Sequence, residues 1–131
     1  LSVLDYAVNV LEVKHVIVCG HHGCGGVNAA MAPKYIGPIS HWLRAIRDVH
    51  QKHWEDVHEL PPEEQANRLC ELSVRDQVEK LAGTSIIQKA WHKRNGPTLH
   101  GWVYSLSDGI LKELNRIESG SDVGDAYRLE F

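Results

Sequence analysis

The sequence predicts an α/β fold, a mainly parallel sheet flanked by helices, and three observations carry that expectation. A short β-branched run, His15 to Cys19, ends abruptly in a glycine-rich loop, as a buried parallel strand does when it feeds a helix. Between residues 39 and 93 the apolar positions recur at helical rather than strand spacing. From Thr98 to Leu106 the pattern alternates and is rich in aromatics, the signature of a second strand. Helix, strand, long helices and strand in that order belong to the α/β class.

Ser2 to Val13 reads as the leading helix, with Leu4, Ala7, Val8 and Leu11 on one face and Ser2 as its cap. After the His15–Cys19 strand comes the loop Gly20-His21-His22-Gly23-Cys24-Gly25-Gly26, then a short helical stretch from Val27 to Met31. Pro33 to Pro38 breaks the chain. Ile39 to Leu60 reads as one long helix whose core face carries Trp42, Leu43, Ile46, Val49 and His53. Pro61-Pro62 ends it, because proline lacks the amide donor and restricts the residue before it. Pro62 followed by Glu63 and Glu64 starts the next helix well. That helix continues through Leu69, Leu72, Val78 and Leu81 to Gly83, with a kink expected near Ser73. Ser85 to Lys93 is a further helix, closed by Asn95-Gly96-Pro97. Ser107-Asp108-Gly109 then turns the strand at Thr98–Leu106 back into a returning strand at Ile110–Leu114. The polar tail from Glu118 to Phe131 is expected to wrap over a neighbouring element. Residues 1–131 are read as a single, partial domain. Two strands of a parallel sheet are clear and a third is possible, and a central parallel strand needs neighbours on both sides, so the sheet reads as incomplete.

A net charge of −3 gives no electrostatic reason to expect nucleic acid or an anionic membrane as a partner. No apolar stretch approaches the ~20 residues of a membrane span, and no secretion signal is legible at Leu1. Three cysteines, two of them beside histidine in one loop, argue against a disulfide framework and for a reducing, cytoplasmic setting.

The loop admits three readings. Phosphate binding is disfavoured by spacing, since neither G-x-G-x-x-G nor G-x-x-x-x-G-K-[ST] is present. A purely structural turn would make Cys19 and Cys24 small buried apolar groups. Zinc binding would use imidazole and thiolate, the ligands that ion prefers, and Cys19, His21 and Cys24 all qualify. Cys19 and His21 would share a face if both continue the strand.

The run K-H-V-I-V-C-G-H-H-G-C-G-G-V resembles the zinc loop of the β-class carbonic anhydrases. The likeness extends to L-S-V-L-D-Y-A-V-N-V-L, W-L-R-A-I-R-D-V, E-L-S-V-R-D-Q-V and H-G-W-V-Y-S-L-S-D-G-I-L, in the right order and over nearly the whole chain. This resemblance implies the zinc-dependent, reversible hydration of carbon dioxide to bicarbonate. It implies that Zn2+ is held by His21 and Cys24, that Cys19 is a buried strand-end residue rather than a ligand, and that His22 faces solvent or the cleft. Gly20, Gly25 and Gly26 would shape the loop, the last two letting the helix start close to the metal. By the same resemblance Tyr104 matches a position that helps to bind a non-catalytic, inhibitory bicarbonate in one subtype, a site that also needs a tryptophan and an arginine from an upstream segment; as a lone strand tyrosine its hydroxyl is better read as bonded in the core.

The same resemblance places the third zinc ligand in an upstream C-x-D-x-R segment, whose Asp/Arg pair serves catalysis. No cysteine precedes Cys19 in this chain. A catalytic zinc takes three protein ligands and an open position for water, so these residues alone are expected to be impaired as an enzyme. An alternative is a non-catalytic, truncated relative that pairs with full-length subunits. By resemblance the assembly is a homodimer or tetramer, with contacts expected from the leading helix and from Leu129 and Phe131. His50, Trp54 and His58, with His53 nearby, read as solvated positions on a long helix. Arg44, Arg47 and Asp48 read as surface ion pairs, and Cys70 as a buried thiol.

Overall fold

The computed structural model describes residues 1–131, and its α/β architecture is the one the sequence predicts. Seven short or long α-helices and three strands follow the order α1 (Ser2–Asp5), β1 (His15–His21), α2 (Gly25–Met31), α3 (Ile39–Trp42), α4 (Arg44–Lys52), α5 (Trp54–His58), α6 (Pro62–Ala82), α7 (Ser85–Lys93), β2 (Thr98–Tyr104) and β3 (Leu111–Ile117). The sheet order is β1-β2-β3. β1 and β2 run parallel with His15 opposite Thr98 and His21 opposite Tyr104. β3 returns antiparallel to β2, so the three strands form a mixed sheet with one parallel pair.

α6 is the organising element. Leu69, Leu72 and Val78 are buried as its apolar spacing predicts, and Pro62 sits in its first turn with Glu63 and Glu64. It is helical without interruption through Ser73. Above it, Val27, Val49, Val57, Leu69, Leu72 and Val103 make one core. Val8, Val78, Ala82, Ile87, Ala90 and Leu99 make a second, under α7 and the N-terminal helix. Arg94 ties that second core together, donating through Nη2 to the carbonyls of Val8 (2.8 Å) and Val13 (3.1 Å).

Several local expectations are corrected. The leading helix is only α1 followed by a π-helical turn, Tyr6–Val10. Ser2 lies inside it, with no side-chain cap bond, and Leu11 faces solvent while Val8 alone is fully enclosed. The long helix predicted over residues 39–60 is three short ones, interrupted at Leu43 and His53. These breaks let Leu43, Val49 and Val57 all reach the core while Trp42 is left 86% exposed. Periodicity cannot register such a change of axis, because each piece keeps the same spacing. Arg44 and Asp48 form the expected surface pair, Nε to Oδ1 at 3.0 Å. Arg47 instead donates from Nη2 to the Ala32 carbonyl at the end of α2 (3.0 Å). The tail does wrap over a neighbour: Gln88 on α7 donates to the Tyr127 carbonyl and accepts from the Leu129 amide.

Candidate metal centre

The site grows from the C-terminal end of β1, where an α/β sheet presents its loops. His21 is the last residue of that strand, and Cys24 is the N-cap of α2, in extended conformation. Between them Gly23 takes φ +69°, a left-handed turn that a side chain would strain. The His22 amide donates to the Tyr104 carbonyl (3.0 Å), which pins the loop to β2. Tyr104 is half-buried, opposite His21, and its hydroxyl lies near Gly109 of the β2–β3 turn.

The state of His21 follows from its one hydrogen bond. Nδ1 lies 3.0 Å from the His22 carbonyl oxygen, and a carbonyl only accepts, so Nδ1 carries the proton. In the neutral ring Nε2 then keeps its lone pair, as a metal ligand must, with its partner nitrogen oriented by a backbone oxygen. Cys24 supplies a free thiol three residues on, partly packed against the core. This donor set fits zinc as two of its ligands. No group of three or more His, Cys, Asp or Glu side chains gathers as a metal site within the chain.

α6 holds the loop from beneath through one stripe. Asn67 Oδ1 accepts from the Gly23 amide (3.1 Å), and Cys70 Sγ donates to the His21 carbonyl (3.1 Å). Glu71 Oε2 lies 3.7 Å from His22 Nε2, and its Oε1 lies 3.6 Å from Lys112 Nζ on β3. A Cβ at Gly20 would fall 2.6 Å from Val74 Cγ2 and 3.1 Å from Cys70 Sγ, so glycine is what lets strand and helix approach. Burial and the neighbouring thiol of Cys24 push the Cys70 thiol up to about 11. It therefore remains protonated, and so able to donate.

Asn67, Cys70, Glu71 and Val74 are spaced i, i+3, i+4 and i+7, and that spacing was the available signal. It was masked because Leu69, Leu72 and Val78 form a more apolar stripe on the same helix. Cys70 is the buried thiol expected. Cys19 is exposed rather than buried, because β1 is an edge strand here and its outer face is open. His22, expected to face solvent or the cleft, is partly exposed and turns its Nε2, buried and without a hydrogen bond, toward Glu71. Gly25 has open space where a Cβ would stand, and Gly26 makes only an ordinary contact with Cys24 Sγ. His50, Trp54 and His58 are not separately solvated: the two imidazoles meet edge to edge, Nε2 to Nε2 at 2.9 Å, and the Trp54 ring stacks on both.

A family model described as carbonic anhydrase matches residues 1–111. The chain belongs to the carbonic anhydrase family. It is 43% identical over 132 residues to a carbonic anhydrase of Emericella nidulans, covering 98% of this chain and 58% of that protein. The β-carbonic anhydrase CafA of Aspergillus fumigatus superposes with a TM-score of 0.80 at 36% identity, covering 86% of this chain and 53% of that one. A structure of two tetrameric β-carbonic anhydrases from Sordaria macrospora gives a TM-score of 0.81 at 32% identity, covering 86% and 58%. The chain thus spans a little over half the length of these relatives. Its fold is that of the β class.

Proposed function

We propose that the protein containing these residues hydrates carbon dioxide reversibly to bicarbonate, with Zn2+ held in part by His21 Nε2 and Cys24 Sγ. The observation that carries this reading is the His21 Nδ1–H bond to the His22 carbonyl, which leaves Nε2 free beside a thiol in a chain of this family. Zinc, when bound, supplies a Lewis acid that brings the pKa of a coordinated water down to about 7. The chain's own part is positioning. Cys70 and Asn67 fix the His21 carbonyl and the Gly23 amide, so the loop presents its two donors in one orientation. Tyr104 is paired in register with His21; any bicarbonate contact proposed for it is with a non-catalytic, inhibitory bicarbonate and needs partner residues from outside residues 1–131.

A catalytic zinc takes three protein ligands, and residues 1–131 are proposed to supply two. The chain by itself is therefore expected to hold zinc weakly and to hydrate carbon dioxide little or not at all. Zinc content and stopped-flow hydration of residues 1–131 test this. Stoichiometric zinc with fast turnover would overturn the two-ligand reading. Unchanged residual zinc binding in both His21→Gln and Cys24→Ser would overturn the assignment of the ligands. Exposed apolar residues of the leading segment, including Leu1, Val3 and Leu11, together with the tetrameric relatives, support a proposed homodimer or tetramer. No helix is long and apolar enough to cross a membrane. Three free cysteines support a reducing, cytoplasmic location.

A further inference from the structure

Two consecutive peptide units of the metal loop are each gripped at both ends. In the unit joining His21 to His22, the carbonyl accepts from Cys70 Sγ (3.1 Å) and the amide donates to the Tyr104 carbonyl (3.0 Å). In the unit joining His22 to Gly23, the carbonyl accepts from His21 Nδ1 (3.0 Å) and the amide donates to Asn67 Oδ1 on α6 (3.1 Å). A trans peptide is planar with its C=O and N–H on opposite sides, so holding the Gly23 amide toward α6 aims the His22 carbonyl at the imidazole. The alternative is a half-turn of this unit. Gly23, at φ +69° and with nothing within 4 Å of where a Cβ would stand, offers that turn little steric resistance. The turned unit would present an N–H to Nδ1 instead of a C=O. His21 would then accept at Nδ1 and carry its proton on Nε2, the atom whose lone pair a metal needs.

We propose that Asn67 is a positioning residue that sets the tautomer of His21: by accepting from the Gly23 amide it keeps the 22–23 peptide from turning, and so keeps Nε2 free to ligate. The benefit to zinc rests on the reading of His21 as a ligand; the control of the proton does not. Oδ1 is the atom involved, because the side-chain amide nitrogen only donates and cannot accept from an N–H. The neighbours of Asn67 on the α6 stripe leave this task to it. Cys70 holds the preceding peptide. Glu71 faces the His22 ring, Oε2 to Nε2 at 3.7 Å, too long for a hydrogen bond. Neither is bonded to the 22–23 unit.

NMR of residues 1–131 with 15N-labelled histidine rings, well above the ordinary imidazole value of about 6.5, tests this, with His21→Gln identifying the His21 signals. The native chain is expected to show a protonated Nδ1 and a bare Nε2. Asn67→Leu and Asn67→Ala should move the proton of a substantial fraction of His21 to Nε2. Asn67→Asp, whose carboxylate still accepts, should restore the native pattern. The His15–His100 and His50–His58 bonds lie outside the loop, so their unchanged ring signals report an intact fold. In a Co2+ titration followed by thiolate-to-metal absorption, Asn67→Leu should weaken binding about 10–100-fold, the usual cost of losing a group that orients a ligating histidine, and Asn67→Asp should recover it. His21 keeping its Nδ1 proton in both Asn67→Leu and Asn67→Ala would overturn the proposal, as would an Asn67→Asp chain that behaves like Asn67→Leu. A native chain that binds no Co2+ would count against the zinc reading instead, while the ring spectra still decide the role of Asn67.

Discussion

The two faces of the β1–β2 sheet are built for opposite purposes. The face toward α6 carries Leu99 and Val103, each at most 2% exposed, together with Val18 and two glycines. A Cβ at Gly101 would collide with Asn115 Oδ1 and approach Val74 and Val78 to 3.1 Å. The other face carries His15, Ile17, Cys19 and His21 on β1, all exposed, with His100, Trp102 and Tyr104 beside them on β2. Its main internal link is between imidazoles, His15 Nδ1 to His100 Nε2 at 3.0 Å. One face holds the fold by excluding water. The other keeps the chemically active groups where something else can reach them. What distinguishes them is strand alternation: period two sends every odd residue of β1 to the open side and every even one to α6.

The largest expected effect is on the closed face. Leu99→Ala should cost about 2–5 kcal/mol, because a fully enclosed side chain leaves a cavity; the midpoint and slope of urea unfolding measure it. Gly101→Ala should cost about 1–3 kcal/mol by overpacking against Asn115, Val74 and Val78, read the same way. Equal losses from Ile17→Ser would break the contrast, since that open-face residue is expected to change stability by no more than about 0.5 kcal/mol.

Thiol accessibility sharpens the same comparison without changing the sequence. Cys19 should react with a thiol reagent at once in the folded chain, and Cys70 only on unfolding, because the first lies on the open face and the second beneath the loop. Mass spectrometry of peptides after a short pulse decides it. Prompt labelling of Cys70 would mean that α6 does not seal the closed face.

A smaller effect belongs to the helical layer. The lowered pKa of His50 means that the unfolded chain takes up its proton first as pH falls through about 6.5. Stability should therefore decline from that point down to the folded-state value, where the loss stops growing. His50→Gln should flatten this part of the pH–stability profile. An unaltered slope would show that the trio absorbs the charge without strain.

Much of the closed face was legible in the sequence. Leu69, Leu72, Val78, the His15–Cys19 run and the alternation after Thr98 all announced themselves by period, and burial follows period wherever an element packs on one side. The open face was legible only as residue types. Histidines and cysteines at close spacing, with a resemblance to a zinc loop, singled out His21 and Cys24. They could not say that Cys19 would be exposed, since exposure depends on what lies beside β1. Nor could they say that His22 would turn to Glu71, since that contact joins residues far apart in the chain.

The sequence by itself determined the class of fold, the elements that pack by periodicity, and the donor atoms available to a metal, because these depend on near neighbours and on side-chain chemistry. Only the tertiary structure decided that α6 would grip the loop through Asn67, Cys70 and Glu71, that the helix after Pro38 would break at Leu43 and His53, and that His50 would meet His58. Each depends on where one helix axis lies relative to another element. That position is set by the joint packing of many side chains, and no single stretch of sequence encodes it.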